Sequence, residues 1–199
     1  FDETTPIEET VRALDDLVRH GKVLYVGCCN FQAWQVLKAR WIQDRAGLDP
    51  LICIQNPYNL LNRELEREMW QAQRDQGFGV MTYSPLGVGL LSGAYTIGQA
   101  APSGTLYATV RAGHLAKEMN ATAQATLELL REIAAAHSKT PAQTAINWVL
   151  SHPEVNMAIT GGDTVAHMED NVGAVGWSIT AEERAQLDEV SSGQERVLD

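Results

Sequence analysis

The sequence has no apolar run that approaches the roughly 18 to 20 residues needed to span a bilayer, so we expect no membrane-spanning segment. It is also poor in basic residues, with 15 lysines and arginines against 25 acidic residues and a formal net charge of -10. Phosphate backbones repel so acidic a chain, and we expect no nucleic-acid partner. The first residues contain neither a basic start nor an apolar signal core, which predicts a cytoplasmic protein. Because the sequence begins at Phe1 rather than at a methionine, we interpret it as a processed or incomplete product.

Cysteine is scarce as well, and its three positions exclude a disulfide framework. Cys28 and Cys29 are adjacent, which is too close for an ordinary disulfide, and Cys53 leaves the number odd. All three lie in apolar runs, where cysteine behaves as a small hydrophobic residue. No histidine stands at ligand spacing from them, so we predict reduced thiols and no metal site.

The remaining composition, 45% hydrophobic and 20% charged, is that of an ordinary globular domain, which we predict over residues 1–199. Short apolar runs begin near residues 23, 51 and 79, about 28 residues apart, and a fourth run covers 155–159. That interval fits one strand, one helix and two loops, so the sequence predicts a parallel α/β architecture. Four strands are compatible with a small open sheet or with part of an eight-stranded (β/α)8 barrel.

Helix signals fill the intervals between these runs. Capping patterns begin at Thr5, Thr140 and Thr180, each followed three residues later by Glu or Gln. From Leu86 to about Asn120 the chain lacks periodicity, which is typical of a lid or binding loop. The five tryptophans are predicted to be packing residues: Trp34, Trp41, Trp70, Trp148 and Trp177.

The working residues of a parallel α/β protein lie just past the carboxyl ends of its strands. At those positions stand two amides, an aromatic ring, a serine and a glycine-rich turn. Amides can pair with another amide, a ring can stack on a flat ring, and turn N–H groups can bind phosphate. None of these groups is a strong acid, base or nucleophile near neutral pH, so the set suits holding a cofactor rather than moving a proton. The residues are Asn30, Gln55, Tyr83, Ser84, Leu86, Gly161, Gly162 and Asp163.

Five stretches in order along the chain resemble the C-terminal half of an aldo-keto reductase, a nicotinamide-dependent (β/α)8 barrel family. They are spread along most of the sequence: Gly21–Phe31, Ile54–Asn59, Tyr83–Leu91, Thr140–Gln143 and Ile159–Asn171. The resemblance implies the second half of a (β/α)8 TIM barrel, with the four strands as the fifth to eighth.

The resemblance also implies roles for the residues at the strand ends. Asn30 and Gln55 would bind the nicotinamide carboxamide, and Tyr83 would stack under the nicotinamide ring. Ser84 and Leu86 would meet the pyrophosphate, and the long loop would fold over the cofactor. The adenosine end would be surrounded by Gly161, Gly162, Asp163, His167, Asp170 and Asn171.

Three features depart from the family pattern. Cys29 replaces the serine that usually precedes the carboxamide-binding Asn, and a thiol donates only weakly. Asp163 and His167 stand in a loop where many members place the Lys or Arg that binds the 2′-phosphate of NADP, so NADP is expected and NAD is the alternative. The family's catalytic Asp, Tyr, Lys and His come from the first four strands, and no residue of this chain is identified as catalytic.

The function implied by the resemblance is NAD(P)H-dependent reduction of aldehydes or ketones to alcohols, with a small-molecule carbonyl substrate. A non-catalytic nucleotide-binding or assembly module is an alternative, as is an unrelated parallel α/β enzyme. A half barrel leaves strand edges and an apolar face without partners, so we expect self-association or pairing with the missing barrel half.

Overall fold

Four strands alternate with helices, as the spacing of the apolar runs predicts. The computed structural model describes residues 1–96 and 98–192, so the domain predicted over 1–199 includes Ile97 and 193–199, which lie outside the described residues. The strands form one parallel sheet in the order β1-β2-β3-β4, and Cys29 pairs with Gln55 between the first two. Their bounds are β1 Val26–Cys29, β2 Leu51–Pro57, β3 Gly79–Tyr83 and β4 Met157–Ile159.

Eight α-helices lie in the described part of the chain. They are α1 Ile7–Arg19, α2 Ala33–Ala46, α3 Met69–Gln76, α4 Leu115–Glu118, α5 Ala121–Ala136, α6 Pro141–Leu150, α7 Val165–Val172 and α8 Ala181–Val190. Each of the first three strands is followed by at least one helix before the next strand begins, as a parallel sheet requires.

The described residues divide into two compact units, and one of them contains Phe1–Asn56, Leu65–Thr82 and Glu154–Met157. In this unit α1 packs against α2. The apolar residues of α1 recur at helical spacing, which gives the helix one face to bury. The core of this unit consists of Ile7, Val11, Val26, Ala39, Ile42 and Leu51.

The other unit consists of the described residues of Pro57–Glu64, Tyr83–Pro153 and Ala158–Asp199. Here α5 packs against α6 and α8. The apolar face of α5 is buried in this contact, which stabilises the helix by removing that face from water. Buried residues of the three helices include Leu127, Leu130, Ile133, Trp148, Val149 and Leu187.

Two of the three predicted helix caps are confirmed in this second unit. Thr140 accepts a hydrogen bond from the Gln143 N–H at 3.1 Å, and Thr180 accepts one from the Glu183 N–H at 3.1 Å. In both cases the Gln or Glu side chain bonds back to the threonine N–H, which completes the capping box. Burial raises the pKa of Glu183, but hydrogen bonds from Thr180 and His137 outweigh burial and hold this pKa below its usual value.

The third predicted cap, at Thr5, is wrong. The hydroxyl of Thr5 donates to the Asp2 carboxylate at 2.9 Å instead, and α1 begins after Pro6 without a side-chain cap. The helix predicted between the second and third apolar runs is also interrupted, because a 3₁₀ turn at Glu64–Glu66 precedes α3.

Burial corrects two further expectations. Strand β1 begins at Val26, because Leu24 and Tyr25 in the same apolar run are 81% and 72% exposed. Trp34 and Trp41 are half exposed on α2, so the prediction that every tryptophan is a packing residue is wrong for these two. No α-helix in the described part of the chain is long and apolar enough to cross a membrane.

Candidate functional site

In the first unit the structure brings Asn30 and Gln55 together. Asn30 follows β1 directly, with a φ of 58° in the left-handed region, which asparagine tolerates better than most residues. Its N–H donates to the Gln55 carbonyl at 3.0 Å. Gln55 lies inside β2 rather than just past it, because that strand extends to Pro57. The backbones of Asn30 and Gln55 therefore meet at the carboxyl ends of two adjacent strands.

Cys29 contacts the same glutamine. Its thiol donates to Gln55 Oε1 at a sulfur–oxygen distance of 3.6 Å, which is a weak hydrogen bond. Cys29 is exposed, whereas its neighbour Cys28 is partly buried. Burial, and then the proximity of Cys53 and Cys29, raises the pKa of Cys28 to about 12. The structure therefore leaves Cys29 as the exposed thiol of the three.

A third amide, that of Asn56, supports this pair. Asn56 is buried, and its Nδ2 donates to the Phe31 carbonyl at 3.2 Å. Its Oδ1 is buried with no hydrogen-bond partner among the described residues. Asn56 thus ties β2 to the residue that follows Asn30, and both flanks of Asn30 are attached to the neighbouring strand.

In the second unit Tyr83, Ser84 and Leu86 lie together in one turn at the end of β3. The Tyr83 carbonyl accepts from the Tyr58 N–H at 3.2 Å, and Ser84 has a φ of 54°. The Leu86 carbonyl accepts from the N–H groups of Gly89 and Leu91, at 3.0 Å each. The turn is thus closed by its own backbone hydrogen bonds.

The last loop of the second unit contains the other predicted residues. Gly161, Gly162, Asp163 and His167 are exposed, and the Asn171 side chain donates to the Gly161 carbonyl at 3.1 Å. Thr164 caps α7 by accepting from the His167 N–H at 3.2 Å. A β-carbon on Gly162 would lie 2.8 Å from His167 Cβ, whereas one on Gly161 would meet nothing within 4 Å. This loop leaves an open, glycine-lined approach to the helix that follows it.

Asp170 is engaged by the protein itself. Its carboxylate accepts from Thr140 Oγ1 at 3.1 Å and from Gln143 Nε2 at 2.9 Å. These bonds attach α7 to the capping box of α6. The resemblance implies that Asp170 lies near the adenine. A hydrogen bond to the adenine would have to use the lone pairs of the Asp170 carboxylate that Thr140 and Gln143 leave free.

The described residues of the long segment after Leu86 form only short helical turns, as the lack of periodicity predicts. They are Leu90–Ser92, Leu106–Ala108 and α4. The buried carboxylate of Glu118 holds part of the segment by accepting from the Tyr107 hydroxyl and the Arg111 guanidinium. Burial, reinforced by Glu118, raises the pKa of Tyr107 well above its usual value. Tyr107 is therefore a poor proton donor to a substrate.

A buried tyrosine and histidine also meet in the second unit. The Tyr58 hydroxyl lies 3.0 Å from His152 Nε2, and both residues pack against Trp148. Arg184 Nη2 lies 3.2 Å from His152 Nδ1. Because an arginine only donates, a neutral His152 carries its proton on Nε2 and donates it to Tyr58. Full burial of Tyr58 makes this pair a structural anchor.

No group of three or more His, Cys, Asp or Glu residues in 1–96 and 98–192 is arranged to hold a metal ion. The site residues in each unit instead offer amide, hydroxyl and backbone groups. Such groups match the donors and acceptors of a carboxamide and of phosphate oxygens.

Comparisons with known proteins agree with this chemistry. A family model described as "Aldo/keto reductase family" matches residues 1–192. The chain is 32% identical over 193 residues to the uncharacterized oxidoreductase YrpG of Bacillus subtilis, which covers 97% of this chain and 56% of the relative. It is 32% identical over 191 residues to an L-glyceraldehyde 3-phosphate reductase of Escherichia coli O157:H7, with 94% and 55% covered.

A third relative is a probable voltage-gated potassium channel subunit beta of Arabidopsis thaliana. It is 35% identical over 176 residues, which cover 87% of this chain and 53% of the relative. The chain therefore spans about half the length of the curated relatives it matches.

Proposed function

This chain belongs to the aldo/keto reductase family, and we propose that it binds NADP, with NAD as the alternative, for the reduction of a small-molecule aldehyde or ketone. The family generally uses NAD(P)H, and its substrates are small carbonyl compounds. A bound reduced nicotinamide supplies hydride to a carbonyl carbon. The protein's part is to bind the dinucleotide, orient it and exclude water from it.

The pairing of Asn30 with Gln55 carries this proposal. A carboxamide presents one acceptor and two donors, and a side-chain amide offers the complementary set. The backbone bond from Asn30 to Gln55 and the bond from Asn56 to Phe31 hold the backbone that carries the two amides before a ligand arrives. Preorganised amides lose little conformational freedom on binding, which strengthens the contact.

The second unit supplies groups suited to the rest of the dinucleotide. We assign Tyr83 to stacking under the nicotinamide ring, and Ser84 and Leu86 to the pyrophosphate. The open backbone at Gly161 suits a close approach of the adenosine portion. We assign that portion to Gly161, Gly162, Asp163, His167, Asp170 and Asn171.

The proton required for carbonyl reduction is proposed to come from a group other than the tyrosines of this chain. Tyr58 is fully buried against Trp148, and Tyr107 is bonded to Glu118. Tyr83 is assigned to stacking, a role that uses its ring rather than its hydroxyl. In line with the resemblance, which places the family's catalytic residues on the first four strands, we propose no catalytic acid or base among the described residues.

We further propose that the four strands are the fifth to eighth strands of a (β/α)8 barrel. The strand order and the coverage of about half of each relative support this assignment. Leu24 and Tyr25 are exposed beside β1, at an edge of the sheet. Such an edge favours pairing with further barrel strands or with a second copy. We expect sedimentation equilibrium to show association, and a monodisperse monomer with a high melting temperature would contradict this.

A non-catalytic nucleotide-binding or assembly module is the second candidate. The observation in its favour is the relative named as a potassium channel subunit beta, a name that describes assembly rather than turnover. The coding sequence upstream of Phe1 distinguishes the two functions. An Asp, Tyr, Lys and His at strand ends there would support the reductase, and their absence would support the module.

Cofactor binding itself is tested by titrating the chain with NADPH and NADH and following nicotinamide fluorescence. The proposal predicts saturable binding, with NADPH bound more tightly. If neither nucleotide changes its emission and calorimetry also shows no binding, the proposal is wrong. Tighter binding of NADH would reverse the cofactor preference and leave the fold assignment intact.

A further inference from the structure

The turn that ends β3 rests on a buried turn that ends β2, which we define as Tyr58–Asn62. All five of its residues are at most 4% exposed. Asn59 and Asn62 face each other across it, with each backbone N–H donating to the other's carbonyl at 3.1 and 2.9 Å. Burying an amide side chain costs folding free energy unless its donors and acceptors are hydrogen-bonded. The two buried asparagines therefore point to specific hydrogen bonds in this turn.

The turn above it is conformationally strained. Ser84, Gly87, Val88 and Gly89 all have positive φ, between 54° and 92°. A β-branched residue such as Val88 rarely adopts this conformation, and it persists only where surrounding contacts enforce it. Strain of this kind collects at ligand-binding turns, where it fixes the direction of backbone groups.

The Asn59 side chain supplies the enforcing contact. Its Nδ2 donates to the Ser84 carbonyl at 2.9 Å, and its Oδ1 accepts from the Leu61 N–H at 2.8 Å. The same Ser84 carbonyl accepts from the Gly87 N–H at 3.0 Å. A β-carbon on Gly87 would lie 3.6 Å from Asn59 Oδ1, so the upper turn sits directly on this amide.

We propose that Asn59 is a positioning residue for the dinucleotide pyrophosphate, acting through Ser84. This inference rests on the proposed function, in which Ser84 and Leu86 meet the pyrophosphate. Asn59 does not touch the ligand; it holds the Ser84 peptide in the left-handed conformation that directs the turn. Only a side chain with a donor and an acceptor at this length can serve Ser84 and Leu61 together.

Two variants separate the two bonds. Asn59→Asp keeps the acceptor for Leu61 but replaces the donor to Ser84 by a carboxylate oxygen, which repels that carbonyl. Asn59→Ser keeps a short acceptor for Leu61, as serine does in local turns, and does not reach Ser84. The serine variant introduces no buried charge, so it covers the case in which the aspartate variant fails to fold.

Asn62→Asp is the matched control. It makes the same chemical change in the same buried turn, where Asn62 Oδ1 accepts from the Glu64 N–H at 3.3 Å and, among the described residues, the Asn62 side chain makes no hydrogen bond to Ser84. A loss caused by general destabilisation of the buried turn will therefore appear in both variants. A loss caused by release of Ser84 will appear only at position 59.

The experiment measures NADPH affinity by fluorescence titration, together with hydrogen exchange of the segment 84–91 in the absence of nucleotide. We expect both Asn59 variants to bind NADPH about fivefold to a hundredfold more weakly than Asn62→Asp, with an unchanged emission maximum at saturation. We also expect faster exchange in 84–91 in the Asn59 variants only. An unchanged maximum shows that the nicotinamide end is still bound normally, which general unfolding would not preserve.

Equal NADPH affinity in the Asn59 and Asn62 variants would overturn the inference and leave the proposed function intact. Unchanged exchange in 84–91 would overturn it as well, because Asn59 would then not hold the turn. If the unmodified chain binds no NADPH, the proposed function fails, and the assignment of Asn59 to a pyrophosphate fails with it.

Discussion

The two adjacent glycines before α7 should respond differently to the same substitution: alanine destabilises the fold at position 162 and changes little at position 161. In Gly162→Ala the new β-carbon would lie 2.8 Å from His167 Cβ and 3.2 Å from the Met168 nitrogen. Carbon atoms pack best at 3.5–4.0 Å, so the first turn of α7 must move by roughly 0.7 Å. Overpacking of this kind costs about 1–3 kcal/mol of folding free energy. In Gly161→Ala the β-carbon meets nothing within 4 Å, and we expect a change within about 0.5 kcal/mol.

The assay is urea unfolding of the two variants and the unmodified chain, followed by tryptophan fluorescence. We expect equal slopes for all three proteins and a lower midpoint only for Gly162→Ala. The same variant should bind NADPH more weakly, because the displaced turn belongs to the proposed adenosine site. The packing argument would be refuted by equal midpoints, or by a lower midpoint for Gly161→Ala than for Gly162→Ala.

Three further predictions concern ionisable groups. Iodoacetamide at pH 8 should alkylate exposed Cys29 before Cys28. The pKa of Cys28, about 12, leaves about one of its thiols in ten thousand as the reactive thiolate at this pH. Peptide mass spectrometry measures the two labelling rates, and faster labelling of Cys28 would contradict this prediction. The lowered pKa of Glu183 means that the hydrogen bonds its carboxylate makes with the Thr180 N–H, at 2.8 Å, and with His137, at 2.9 Å, stabilise the fold above pH about 4.5, and this contribution is lost as pH falls through the folded-state pKa. Urea midpoints of the unmodified chain and Glu183→Gln should therefore differ at pH 6 and converge at pH 3. Asp163→Asn should raise the affinity for NADPH relative to NADH by about twofold to fivefold, because it removes a negative charge that repels the 2′-phosphate. An unchanged ratio of the two dissociation constants would show that Asp163 does not repel this phosphate.

Much of the fold follows from local patterns in the sequence. Parallel strands buried on both faces are continuous apolar runs, so all four were predictable near their observed positions. The caps at Thr140 and Thr180 were predictable because the threonine oxygen accepts from the N–H three residues later, while the glutamine or glutamate there accepts from the threonine N–H. At Thr5 the same pattern failed, since Asp2 lies close enough to take the hydroxyl.

Exposure was less predictable than element type. Leu24 and Tyr25 continue an apolar run but precede the strand and face solvent, and Trp34 lies half exposed on α2. Periodicity shows which residues share a face of an element. It does not show whether another element covers that face, which depends on contacts between distant parts of the chain.

The candidate site also contains residues that could be predicted from the sequence and residues that could not. The proximity of Asn30 and Gln55 follows from adjacent strands, so the pattern of strand ends was enough to predict it. Asn56 and Asn59 were missed, because each acts on a backbone carbonyl 25 residues away along the chain, at Phe31 and Ser84. One signal was present, namely a run of amides after a buried strand. The role of these amides depends on which backbone carbonyls they contact, and only the folded structure shows those contacts.

The central claim is that Asn30 and Gln55 bind the carboxamide of a nicotinamide dinucleotide. The most direct measurement is the dissociation constant of NADPH for the unmodified chain, Asn30→Ala and Gln55→Ala, with the exposed Gln71→Ala as a control. The same proteins are titrated with the ADP-ribose portion carrying the 2′-phosphate, which lacks the nicotinamide. We predict that each of the first two variants weakens NADPH binding about tenfold or more and leaves the nicotinamide-free ligand unaffected, while Gln71→Ala changes neither. NADPH affinity that is the same in all four proteins would contradict the claim.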